Sequence, residues 1–370
     1  MHLSFQKVFY VIATVMALIA ILILAKTVLI PLAFAFLIAF ILYPLTLRFE
    51  SWGASQIVSA FLSVMTLLLI IGGGLFLFSN QLMQFSEHLT EFKEKLLEVF
   101  TDFTVYINQN VEVLPQLEES EFFDRIKTWL NESAGTLVSQ TFSSTANVIF
   151  GLFTSLLFAF LVLIYRHGMI RALIHFYPRE HREKALNMLR SVQKVGQQYL
   201  FGMLAIVLIL GLMNSIGLLI IGLENPFLFG YLASVLALIP YIGTFTGAAI
   251  PVIYSFITYD SIWMPITIAL FFWGVQLIES NFLTPKIVGG HLNLNAFTSI
   301  LSIIIGASVW GIAGMILFLP LTAMLKTVCQ EYEELKPFAL LIGKKNYRVK
   351  EDNQELIQRW RKRIKTWFSG

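Results

Sequence analysis

Eight blocks of apolar residues, each 17 or more residues long and almost free of charge, decide what this chain can fold into. They cover 8–25, 27–47, 57–78, 148–165, 200–223, 227–258, 262–278 and 297–327. Wound as α-helix, such blocks rise about 1.5 Å per residue and are long enough to cross roughly 30 Å of hydrocarbon. A lipid-facing β-barrel needs alternating polar and apolar positions, which these blocks lack. Composition agrees: 57% of the 370 residues are hydrophobic and 13% charged, about half the charge of a soluble domain. The expected fold is an all-α integral membrane protein with about eight transmembrane segments, its first partner being the lipid bilayer.

The polar stretches between the blocks divide the chain. Residues 1–78 hold spans 1–3. Only Lys26 and Thr27 lie at the junction of the first two runs, which form a tight hairpin or one span with a re-entrant neighbour. No small-x-small cleavage site precedes Lys26, so the first run reads as a retained helix and not a signal peptide. Residues 79–147 form an extramembrane helical segment with 11 acids and 4 bases. Leu82, Phe85, Leu89, Phe92, Leu96, Val99, Phe103 and Tyr106 repeat there in steps of three and four, a heptad seam. A looser stripe at Phe122, Ile126, Trp129 and Leu137 suggests a returning helix. The seam either packs within this segment or joins copies of the chain. Residues 148–165 are span 4. Residues 166–198, with 7 bases against 2 acids, read as a basic amphipathic helix at the headgroups. Residues 199–327 are the C-terminal half, with broken or re-entrant helices, and 328–370 a basic tail with 10 bases and 6 acids. Trp360, Trp367 and Phe368 interleave with the last bases. In so apolar a chain this pattern fits anionic lipid and not nucleic acid.

Basic connections stay cytoplasmic. With Lys7 inside, eight crossings put the acidic segment outside and every basic segment inside, so both termini are expected in the cytoplasm.

Chemistry has few places to sit. The single cysteine, Cys329, leaves no disulfide framework or multi-cysteine metal site, and the six histidines form no paired-ligand spacing. Neither a Walker loop nor Gly-x-Ser-x-Gly occurs; no enzyme activity, metal or cofactor is expected. Between positions 200 and 325 the ionisable residues are Glu224, Asp260, Glu279, Lys286 and His291. Glu224 lies in the turn sequence LENPF, and Asp260 reads as an N-cap for a helix starting at Ile262. Glu279 follows seventeen uncharged residues, with Gln276 three positions earlier on the same helical face and Asn281, Thr284 and Lys286 just after. A carboxylate at the end of a span is costly unless paired, protonated or facing water. Either Glu279 and Lys286 form an interfacial salt bridge, or Glu279 binds a proton or cation. Pro285 is expected to break the helix and free backbone carbonyls.

The run 227–258 is too long for one ordinary span and carries Pro240, Gly243, Gly247 and Pro251. Its stretch IPYIGTFTGAAIP is expected to interrupt regular helix, as a broken segment lining a site or as a kink packed through its glycines. The run 297–327 carries Gly306, Gly311, Gly314 and Pro320. It is one long tilted helix or two pieces with a break near 310–314.

These residues also carry a resemblance. LIPYIGTFTGAAIP followed by QLIESNFLTPKIVGGHLNLNAFTSILSIIIGASVWGIAGMILFLPLTAML resembles the signature half of the autoinducer-2 exporter family, the PerM-like permeases. Pro240, Gly243, Gln276, Glu279, Asn281, Pro285, Lys286 and Gly289 map onto its motif, with Thr244 where some members have proline and Ser280 as the usual small polar group. The resemblance implies a homo-oligomeric secondary transporter in the bacterial inner membrane, exporting a small polar solute or exchanging a monovalent cation for protons. It implies a substrate or ion site of Glu279, Gln276, Asn281, Lys286 and Thr244, lined by helix breaks at Pro240, Gly243, Gly247, Pro285 and Gly289. An oligomeric scaffold or channel-like protein without coupled transport is the alternative.

Overall fold

The computed structural model describes residues 5–87, 92, 95, 98, 149–240, 242–287 and 292–344. Gly289, His291, most of the heptad seam (Leu89, Leu96, Val99, Phe103, Tyr106), the second stripe and the tail beyond 344 lie outside them. Among the described residues the chain is helical apart from one isolated bridge, Leu294 to Gly343. In chain order the helices are α1 (Phe5–Leu24), α2 (Lys26–Ser51), α3 (Gln56–Glu87), α4 (Ile149–His175), α5 (Arg182–Ile221), α6 (Pro226–Leu236), α7 (Ile242–Thr258), α8 (Trp263–Ile278), α9 (Ala296–Glu331) and α10 (Lys336–Ile342). Six of the described helices are long and apolar enough to cross a membrane: α2, α3, α4, α5, α9, and α8 with its extension to Ile287.

Ala25 alone joins α1 to α2. Helix-type hydrogen bonds span the junction, from Ala25 N–H to Ile21 O at 2.9 Å and from Leu29 N–H to Ala25 O at 2.9 Å. A reversal into an αα-hairpin takes two or more loop residues, so the junction is a bend and not a tight hairpin.

Helices α2, α3 and α4 form the N-terminal bundle. Ala35, Ala39, Leu42, Ala60, Ala159 and Leu163 fill its core. Most polar groups taken out of water there find partners, Arg166 Nε being an exception. The Thr46 and Ser63 hydroxyls meet at 2.9 Å. The Arg166 guanidinium Nη2 donates to both Glu50 carboxylate oxygens at 2.5 and 2.6 Å, and it lies over the Tyr43 ring.

The basic stretch 166–198 is not a separate surface helix. Its first part is the end of α4; after a turn and the short 3-10 segment Arg179–His181, its second part runs into α5 without interruption. Seven bases favour the polar side of the interface, but nothing in 182–199 stops helix propagation into the apolar run.

The run 227–258 is broken, as the prolines and glycines predict. It forms α6 and α7, separated by a turn at 237–240. The two lie side by side, because both outer ends meet: Tyr259 Oη accepts from Glu224 N–H at 3.0 Å, and Tyr254 Oη donates to the Glu224 carboxylate at 3.2 Å. The break precedes most of its expected sequence. Gly243, Gly247 and Pro251 sit inside α7, where the glycines permit close approach. A Cβ at Gly243 would lie 1.6 Å from Leu236 O, and one at Gly247 2.9 Å from Ala233 Cα.

The run 297–327 takes the two-piece form. Gly311 (φ 61°, ψ −138°) interrupts α9 with a backbone conformation essentially confined to glycine. The arms 296–310 and 312–331 then fold back on each other. A Cβ on Gly306 would meet Gly314 O at 2.3 Å, and Ser302 Oγ bonds Thr322 Oγ1 at 2.9 Å. Twenty residues of straight helix would separate those hydroxyls by about 30 Å. Two of the eight apolar runs are therefore hairpins.

The α3 helix extends beyond the apolar run. Phe85 and Phe92 of the seam stack against Tyr254, Phe85 also meets Phe229 edge-on, and Lys95 Nζ donates to Thr258 O at 2.7 Å. The start of the seam thus packs on the open end of the α6–α7 hairpin within the same chain.

Candidate functional site

A cavity of about 520 Å³ lies where the α6–α7 turn meets α5 and α8. This is the size range of small-molecule sites. Its wall is mainly apolar (Leu210, Ala233, Ala237, Phe245, Ala248, Phe272, Trp273), and its polar groups are Asn214, Thr244, Gln276 and Glu279. Helix α5 passes close to α6 because Gly211 and Gly230 face Tyr231 and Ser215, which carries Asn214 to the cavity wall.

Glu279 is held from two sides. Gln276 Nε2 donates to its Oε2 at 2.8 Å and Thr284 Oγ1 to its Oε1 at 3.1 Å. The one-face spacing of Gln276 and Glu279 produces the first bond. The second depends on a local change of helix type: residues Glu279–Leu283 are π-helical, which brings position 284 round to a carboxylate five residues earlier. Such single-turn π segments recur at functional sites.

Pro285 does not break the helix. It lies within the helical turn Thr284–Ile287, and the widened π turn ahead of it absorbs the missing N–H and the bulk of its ring. Beside it, Asn281 Nδ2 donates to Leu277 O at 2.8 Å. Among the described residues no ion pair joins Glu279 to Lys286; the carboxylate is paired with neutral donors instead. Asn281, Pro285 and Lys286 are exposed and off the cavity wall. Pro240 is in the turn beside it, and Gly243 and Gly247 hold α7 against α6. The structure thus brings together Glu279, Gln276 and Thr244, and leaves out Asn281 and Lys286. Asp260 does not cap α8: the cap position is Ile262, with no side-chain bond.

Asn214 is not among the site residues expected from the sequence. It is 4% exposed and its Oδ1 has no hydrogen-bond partner. The signal was an amide in the middle of an apolar run, LGLMNSIGLL, where a polar group is expensive. Among the described residues of the wall, Glu279 is the one acidic or basic side chain, with no lysine or arginine to offset it. No cluster of three or more His, Cys, Asp or Glu able to hold a metal ion occurs among the described residues.

Long apolar helices, two helical hairpins and a solute-sized cavity with a few converging polar groups define a polytopic membrane protein of the transporter class. The chain matches the AI-2E family transporter over residues 11–334, and it belongs to that family. It is 26% identical over 306 residues to the putative transport protein YrrI of Bacillus subtilis, covering 82% of this chain and 86% of that one. Against the putative transport protein YueF of the same organism it is 29% identical over 226 residues, 60% of each chain. It is also similar to the AI-2 transport protein TqsA of Escherichia coli, 29% identical over 157 residues, 42% of this chain and 45% of that one. The chain is a multi-pass membrane transporter and not an enzyme.

Proposed function

We propose that this chain is a secondary transporter of the bacterial inner membrane, exporting a small polar solute or exchanging a monovalent cation for protons, with its binding site in the cavity between the α6–α7 turn and Glu279. The observation that carries this is the placement of Glu279, Gln276, Thr244 and Asn214 on one wall system at the tip of a helical hairpin. Irregular backbone within a membrane is stable where it is buried in protein or lines a watery space, and transporters build sites at such interruptions.

The hairpins refine the crossing count. Helices α2, α3, α4, α5 and α8 cross, and α1, joined to α2 by a bend, does not cross separately. The α6–α7 hairpin enters from and returns to the face where α5 ends. The α9 hairpin does the same from the opposite face, where α8 ends. Five crossings keep the basic stretch 166–198 and the C-terminal tail cytoplasmic and residues 79–147 outside, the same sides as eight would give. Copies of the chain assemble as a homo-oligomer through the bare apolar flanks of α1 and α3.

The test is flux. The chain reconstituted in proteoliposomes is offered monovalent cations, small polyols and autoinducer-2 under an imposed pH gradient. Gradient-driven movement of at least one is expected. No movement of any, with oligomers intact, would favour the scaffold reading.

A further inference from the structure

Of the four buried side-chain atoms without a hydrogen-bond partner among the described residues (Arg166 Nε, Asn214 Oδ1, Ser215 Oγ and Thr258 Oγ1), only Asn214 Oδ1 belongs to a residue of the cavity wall. Its neighbour Ser215 also has an unpartnered, buried hydroxyl, but Ser215 faces Gly230 in the contact between α5 and α6 and is off the cavity wall. Asn214 is on it. A side chain nine-tenths buried and lining a solute-sized space, whose amide oxygen has no protein partner, is a group waiting for a ligand's hydrogen bond.

The electrical character of the space says which ligand. Glu279 supplies a carboxyl group with no base beside it among the described residues of the wall. The first turn of α7 contributes Thr244 and Phe245, and a helix N-terminus carries about half a positive charge. Two of its N–H groups are already used: Ile242 bonds Pro240 O at 2.8 Å and Gly243 bonds Ile239 O at 2.9 Å. The carboxylate wins.

We propose that Asn214 is a second polar contact for the bound solute, acting with Glu279. Together they select a small molecule or ion that presents positive charge or hydrogen-bond donors, a monovalent cation or a hydroxylated neutral solute, and refuse anions. This rests on the transport-site reading above.

The experiment uses a thiol reporter on the facing wall. In the full chain carrying Cys329→Ala, Thr244→Cys is labelled in proteoliposomes with a trimethylammonium methanethiosulfonate reagent. Labelling is repeated with potassium chloride, potassium lactate or erythritol present, and buffer alone as the baseline. Potassium chloride or erythritol is expected to slow labelling at least about fivefold, lactate in place of chloride to add no protection, and Asn214→Ala to remove the protection. The Asn214→Ala chain should keep its Tm, because the amide oxygen it loses has no protein partner; a merely structural asparagine would lower it. Added protection when lactate replaces chloride, protection that survives Asn214→Ala, or no protection by any solute overturns the proposal. If Thr244→Cys does not fold, Phe245→Cys reports on the same wall with the same expectations. The transport reading fails separately, if Glu279→Gln leaves gradient-driven flux intact while Asn214-dependent protection persists.

Discussion

Gln276 donates a 2.8 Å hydrogen bond to Glu279, and with Thr284 on the other carboxylate oxygen it fixes that group at the cavity wall. Hydrogen bonds to a charged group contribute about 1.5–3 kcal/mol each. Gln276→Leu is therefore expected to lower flux roughly tenfold or more. Combined with Glu279→Gln, its effect should be far from additive, because the two residues act as one unit. Flux rates of the two single variants and the double variant give the coupling.

The folding back of α9 has a covalent test. Ser302→Cys with Thr322→Cys, in a Cys329→Ala background, should oxidise to a disulfide within one chain, because the native hydroxyls are 2.9 Å apart. A straight helix would hold the thiols about 30 Å apart and give no crosslink. Mass spectrometry of the linked peptides reads the outcome.

Gly311→Ala should destabilise the same hairpin. Its φ of 61° with ψ of −138° is strained for any residue with a Cβ, at about 1–3 kcal/mol. Thermal unfolding in detergent should show a Tm lowered by several degrees. The control Gly274→Ala, where a Cβ meets nothing within 4 Å, should leave it near the native value.

Arg166 and Glu50 lock α4 to α2. Arg166→Ala strands a carboxylate whose side chain is only 24% exposed. Breaking a fully buried pair costs about 3–5 kcal/mol, so about 2–4 kcal/mol is expected at this part-exposed one, seen as a lower Tm. Arg166→Ala with Glu50→Leu should recover part of the loss, because no charge is left behind.

What the sequence made legible was decided by which physical rule was strict. Long uncharged runs have one stable solution in lipid, so the helical membrane fold could be read directly. Pro240 with Gly243 and Gly247 marked a break, but helix-breaking residues do not say whether a chain bends or returns. The returns of 227–258 and 297–327 depend on Gly243 against Leu236, Gly247 against Ala233 and Gly306 against Gly314, contacts between positions that only folding brings together. Pro285 misled for the same reason: a π turn absorbs a proline without a break. The pairing of Gln276 with Glu279 was legible because it is local. That Asn281 bonds a backbone carbonyl and Asn214 faces the cavity was not, since each depends on which way a helix is rotated.

The central claim is that Glu279 is the group through which this cavity moves its solute. The most direct measurement is pH-gradient-driven flux in proteoliposomes for the native chain and Glu279→Gln, with Tm and oligomer size compared to show that the variant is folded. Gradient-driven flux is predicted to fall to the level of empty liposomes in the variant while Tm and assembly are retained. Flux that stays native in size and in pH dependence would contradict the account.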